Sequence, residues 1–142
     1  MDTKSEYLLL FVDPDLAKVI RKAAQKPQPF RVLQGKRSIE EQKKNVAKGA
    51  SKTMNSRHLG GKDELADAVD LVALTDGKID WAEGKEDQVY GAIYRQVKTA
   101  ADELGIPIRW GGHWKFKDYV HFELPWTINR EKEDEPVDTK IN

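Results

Sequence analysis

The chain has 142 residues, and its 24 lysines and arginines balance 24 aspartates and glutamates, so the formal net charge is zero. A chain this long suits one domain with a core large enough to support a cleft, and the balanced charge gives no long-range field to draw in nucleic acid or an anionic membrane. There is no cysteine, which excludes a disulfide framework, a thiolate zinc site and a cysteine nucleophile, so any metal must be held by His, Asp or Glu.

Near the start, the apolar run YLLLFV, Tyr7 to Val12, follows acidic residues and is far too short for a membrane span or the apolar part of a secretory signal. With no signal peptide, synthesis in a cytosol is expected, with any export by another route. VDPDLAKVIRKAAQ predicts a helix: Asp13 can cap it, Pro14 suits the first helical position, and Leu16, Val19, Ile20 and Ala23 recur at helical spacing. KPQP ends it. FRVLQG, Phe30 to Gly35, reads as a short strand closing on a glycine turn. SIEEQKKNVAKGA opens with a capping box, Ser38 and Glu41, and Gly49 suits its end. SKTMNSRHLGGKDE has no apolar period and reads as loop.

LADAVDLVAL ends in a near-continuous apolar run, as expected of a strand inside a sheet. TDGKIDWAEG is turn-rich. From Lys85 to Leu104, Val89, Ala92, Ile93, Gln96, Val97, Ala100 and Leu104 mark a long amphipathic helix that Gly105 stops. IPIRW and YVHFEL then read as an antiparallel pair of strands around GGHWKFKD. The sum is a single α+β domain over residues 1–126, with helices on a small, mainly antiparallel sheet of about four strands, followed by a charged tail at 127–142.

The three histidines, His58, His113 and His121, fall on loops and strand ends. In DYVHFEL, alternation places Tyr119, His121 and Glu123 on one face, where the imidazole can reach a cleft, and Asp118 stands where loop meets strand. In ADAVDLV the same alternation separates Asp67 from Asp70. An acid between Val69 and Leu71 in a central strand needs either a cation or a buried ion pair, for which Arg37, Arg57 and Arg109 are candidates. A loop histidine, a strand aspartate and a strand histidine make an N/N/O set of the kind that leaves a zinc position open for water.

These residues also resemble a known pattern. SRHLGG followed by ADAVDLVAL is similar to the S-x-H-x-x-G-x-A-x-D motif of the zinc D,D-carboxypeptidase and L-alanyl-D-glutamate peptidase family, which includes VanY-type enzymes and phage endolysins. DYVHFEL resembles its D-x-x-H-x-E segment, GKRSIEEQ its arginine segment, and LGIPIRWGGHW the element leading into the last hairpin, in order from Phe30 to Leu124. The resemblance implies a Hedgehog/D,D-peptidase-like fold and one zinc ion on His58, Asp70 and His121. It further implies Asp118 as general base, Arg37 for substrate or oxyanion charge, and Ser56 and Gln42 near the substrate. It is most like the endolysin branch, which acts on bacterial peptidoglycan as a monomer after holin-type release and cuts between L-alanine and D-glutamate. The rival readings are a D,D-carboxypeptidase releasing terminal D-alanine and a non-catalytic wall-binding module stabilised by metal. Trp110, Trp114 and Trp126 are expected either around the cleft or in the core.

Two departures stand out. The motif places its aspartate seven residues after the histidine, where this chain has Leu65, and Asp70 lies twelve after His58, so about five residues are inserted between Gly61 and Ala68. Asp63 and Asp67 thereby become rival ligands, with Asp70 preferred for its A-x-D-L context and because Asp67 should face the other way. The second departure is His113, where family members often carry an acid; surface loop is its expected place. The insertion is either a solvated acidic bulge or, through Asp63, Glu64 and Asp67, a regulatory site for an oxygen-preferring cation such as calcium.

Overall fold

A computed structural model of the chain describes residues 1–37, 44, 47, 58 and 64–125. Three described helices pack against one antiparallel sheet. Helix α1 (Thr3–Leu9) is capped by Asp2, whose carboxylate accepts from the Ser5 backbone N–H at 2.7 Å. The apolar run that it overlaps, Tyr7 to Val12, is read in the sequence only as too short for a membrane, and the helix is new. Its buried positions are Ser5 and Leu9, one helical turn apart, and Leu8 packs partly against the core, while Tyr7 and Leu10 are exposed. Ser5 joins helix to sheet by accepting from the Val32 N–H at 2.9 Å.

Helix α2 (Pro14–Ala23) begins as expected, with Asp13 accepting from the Asp15 N–H, and it buries Leu16, Ala17, Val19, Ile20 and Ala23. Strand β1 (Phe30–Gln34) follows. Of the helix expected at 38–50, Lys44 and Ala47 are described and helical, and the remainder lies outside the described residues.

Strand β2 (Ala68–Thr75) is the spine of the sheet and buries nearly every side chain from Ala68 to Ala73. A two-residue turn at Asp76 and Gly77, both at positive φ, leads into β3 (Lys78–Asp80). Asp-Gly favours that turn because its twist matches the flanking strands. The turn-rich reading of this segment did not anticipate so short a strand.

Helix α3 (Glu86–Leu104) ends at Gly105, which is left-handed (φ 70°), and the Ile106 N–H turns back to the Ala101 carbonyl. Tyr90 pins α3 to the sheet: its buried hydroxyl donates to the Asp80 carbonyl at 2.8 Å and accepts from the Ala73 N–H at 3.2 Å. Strands β4 (Arg109–Trp110) and β5 (His121–Glu123) pair antiparallel, as expected, around a single 3₁₀ turn at Gly111–His113.

The sheet order is β1-β2-β5-β4, with β3 on β2. Its registers decide the site. In the β1–β2 ladder Val32 faces Leu71, but Gln34 faces Asp70, so β1 carries one extra residue, Leu33, at a bulge. In the β2–β5 ladder Asp70 faces His121.

Candidate metal centre

His121 and Asp70 are therefore cross-strand neighbours, and the third member arrives from a turn. The Arg37 N–H donates to the His58 carbonyl at 2.8 Å, which fastens the His58 backbone beside the end of β1. Both imidazoles are fully buried. His58 Nδ1 lies 2.7 Å from the Gly35 carbonyl, which can only accept, so Nδ1 carries the proton and Nε2 is left with a lone pair. His121 Nε2 lies 2.6 Å from a carboxylate oxygen of Glu123, which assigns the proton to Nε2 and the lone pair to Nδ1.

The free nitrogens and Asp70 then converge. His58 Nε2 is 3.1 Å from Asp70 Oδ1 and 3.2 Å from His121 Nδ1, and His121 Nδ1 is 3.4 Å from Asp70 Oδ1. Three acceptors this close repel one another unless a cation or a proton sits among them. Among the described residues, His58, Asp70 and His121 form the group able to hold a metal ion, with ligand atoms all within 4.8 Å of one another. Two imidazole nitrogens and one carboxylate oxygen suit zinc, and each imidazole is held from behind by a hydrogen-bond acceptor, as metal-ligating histidines usually are.

The titration behaviour agrees. Burial alone would raise the Asp70 carboxyl, but the charge of His58 and hydrogen bonds from His121 and His58 outweigh it and hold the group well below the usual carboxylate range. Burial likewise works against the His121 imidazolium. Hydrogen bonds to Asp70 and Glu123, with the charges of Glu123 and Asp118, overcome it and hold His121 up to about 10. A positive charge at this spot is strongly favoured.

Asp118 is half-buried on the turn into β5, and its charge reaches His121. Its N–H donates to the Gly111 carbonyl at 3.0 Å, and its own carbonyl accepts from the His121 N–H at 3.2 Å. Gly111 is required there, because a Cβ on it would overlap the Asp118 backbone and side chain. Arg37 is buried, and its Nη2 donates to Gln34 Oε1 at 2.7 Å, the residue facing Asp70 across the β1–β2 ladder. Trp114 is buried against His121, ring centroids 5.0 Å apart.

One expectation needs correction. His121 and Glu123 do not lie on an open polar face: both faces of β5 are buried, since Trp114 covers one side and the core holds Phe122 and Leu124 on the other. Asp67 is buried at a bend before β2, its carbonyl accepting from the Leu124 N–H, and it does not join the cluster. Glu64 is exposed. Gln42, Ser56, Asp63 and Trp126 lie outside the described residues. Trp110 belongs to the core, stacked on Tyr94 at 4.7 Å, and His113 is exposed with its ring edge-on to both. Reading the sequence missed Glu123 and Gly35 as supports of the histidines. Alternation did place Glu123 on the same face as His121, two residues on, and that was the available signal.

The sequence matches a family model described as phage L-alanyl-D-glutamate peptidase over residues 1–134. The chain belongs to the phage L-alanyl-D-glutamate peptidase family. Within that family it is 33% identical over 124 residues to an L-alanyl-D-glutamate peptidase of Escherichia phage T5, covering 84% of this chain and 85% of that protein. An L-alanyl-D-glutamate peptidase of Listeria phage A118 is 33% identical over 89 residues, which is 62% of this chain but 27% of that longer protein. The crystal structure of the Serratia marcescens L-Ala D-Glu endopeptidase ChiX superposes with a TM-score of 0.78 at 41% identity, covering 89% of this chain and 90% of that one. The fold, a small antiparallel sheet under three described helices, is thus that of this peptidase class.

Proposed function

We propose that this chain is a zinc-dependent endolysin that hydrolyses the L-alanyl-D-glutamate bond of bacterial peptidoglycan stem peptides. One observation carries the reading: three acceptors, His58 Nε2 and His121 Nδ1 on buried imidazoles and Oδ1 of the partly buried Asp70, converge within 3.1–3.4 Å. The names of the family relatives supply the bond. Bound zinc supplies a Lewis acid for the scissile carbonyl and a water acidified to near neutral pH.

The chain's own residues do the rest. Asp118, on the turn into β5, is the general base and then passes its proton to the leaving amine of D-glutamate. Arg37, buried beside His58, faces the negative charge that develops on the carbonyl oxygen, a task suited to a guanidinium. Ser56 and Gln42 contact the substrate. The enzyme acts as a monomer, reaching the wall after holin-type release. Among the described residues no helix is long and apolar enough to cross a membrane. Calcium held by Asp63, Glu64 and Asp67 would order the loop that carries His58, and a calcium titration of activity in Asp63→Ala tests that role.

Metal analysis of the purified protein, combined with mass spectrometry of digested peptidoglycan, tests the proposal. The expected result is stoichiometric zinc, L-alanine left on the glycan and released peptides beginning with D-glutamate. Release of D-alanine instead would assign a D,D-carboxypeptidase. Zinc retention with no cleavage would leave a wall-binding module.

A further inference from the structure

Glu123 has no part in the proposed reaction, yet among the described residues it is one of the few charged side chains that are buried, at 2% exposure. Removing a carboxylate from water costs several kcal/mol unless its partners compensate. Two partners stand next to it. Its Oε1 accepts from His121 Nε2 at 2.6 Å, and its Oε2 lies 4.0 Å from Nε of Arg109, its cross-strand neighbour on β4. Its chain neighbours Phe122 and Leu124 are apolar and fully buried on the other face, so Glu123 stands as a charge within a buried strand end.

Strand geometry explains the pairing with His121. Residues two apart on one strand share a face, so the carboxylate of Glu123 meets the nitrogen of His121 that is remote from Asp70. An imidazole can present either nitrogen to a metal, and which one it presents depends on what the other is bonded to. His58 is held the same way by a different device, the Gly35 backbone carbonyl, which no side-chain substitution removes. Glu123 is thus the side chain through which one of the two imidazoles is set.

We infer that Glu123 is a positioning residue, which fixes His121 in the Nε2–H form so that Nδ1 faces the metal, while Arg109 steadies its outer oxygen. The inference rests on the zinc reading above. It assigns Glu123 no contact with substrate and no proton transfer, only the orientation of a ligand.

The test is zinc affinity, measured by competition with a chromophoric chelator on the full chain at fixed pH. A ¹⁵N correlation spectrum of the histidine rings in zinc-loaded protein accompanies it. Glu123→Gln keeps the shape but removes the charge, and it is expected to weaken zinc roughly 10–100-fold, the usual cost of losing such a partner. The ring spectrum of wild type is expected to show His121 with hydrogen on Nε2 and metal on Nδ1, and the variant a mixture of ring forms. Glu123→Asp draws the carboxylate back by one methylene and is expected to fall between. A purely structural Glu123 would change the melting temperature but not the ring form. Wild-type affinity with an unchanged His121 spectrum, in whichever variant folds, overturns the inference. Failure of the wild-type chain to bind zinc would instead overturn the functional reading.

Discussion

Asp70 and His121 face each other across the β2–β5 ladder, and that pairing places Oδ1 of one 3.4 Å from Nδ1 of the other. A slip of one residue in either strand would turn one of them to the opposite face. Assembly of the site therefore depends on the same register that buries Val69 against Phe122.

Asp70→Ala removes the carboxylate between the two imidazoles. Zinc affinity is expected to fall by more than the roughly 10–100-fold lost with a ligand's hydrogen-bond partner. Lysis should disappear with it. Dialysis against a weak chelator followed by metal analysis checks this, and full lytic activity in the variant would identify another aspartate as the ligand.

Zinc binding should release a proton. In protein stripped of metal His121 is held up to about 10, so at neutral pH it carries the proton that zinc must displace. Apparent zinc affinity is expected to rise with pH, roughly tenfold per unit below that value. Calorimetry in two buffers of different ionisation enthalpy measures the proton released. The same raised group stabilises the metal-free fold fully below its unfolded value of 6.5, and that contribution is lost as pH climbs through about 10.

Asp118→Asn should separate binding from chemistry. Zinc is expected to be retained, because Asp118 is not among the converging ligand atoms, while kcat falls by about 10²–10⁴-fold, the range for loss of a general base. Gly111→Ala should resemble it in a milder form, since the added Cβ would push on the Asp118 backbone. Single-turnover assays on zinc-loaded variants distinguish these from loss of metal.

Tyr90→Phe tests the scaffold apart from the site. It deletes the hydroxyl that satisfies the Asp80 carbonyl and the Ala73 N–H, and a cost of about 1–3 kcal/mol in urea unfolding is expected. Zinc affinity should not change.

Much of this molecule was legible from residue order, and the exceptions have physical causes. Helix α2 and helix α3 carry buried faces at helical spacing with a clear cap or stop, so their boundaries could be read directly. Helix α1 could not, because it buries only Ser5 and Leu9 and turns Tyr7 to solvent, which leaves too weak an apolar period to mark an amphipathic helix. The proximity of Asp70 to His121 follows from two short alternating strands once they are paired, but the pairing itself is long-range. The burial of His121 depends on Trp114 folding over it, and nothing local to DYVHFEL announces that. Glu123 was visible as a neighbour and not as a support, because its carboxylate acquires that meaning only when the far side of the imidazole is seen to be engaged.

The bulge at Leu33 divides β1 into two parts. Upstream of it, β1 is committed to the core, with Phe30 and Val32 buried in the same ladder as Ala73 and Leu71. Downstream, Gln34, Gly35 and Arg37 lie beside the candidate metal centre, with hydrogen bonds to Arg37 Nη2, His58 Nδ1 and the His58 carbonyl. The extra residue lets the two halves of β1 keep separate registers on β2, so the end beside Asp70 is set independently of the end packed in the core.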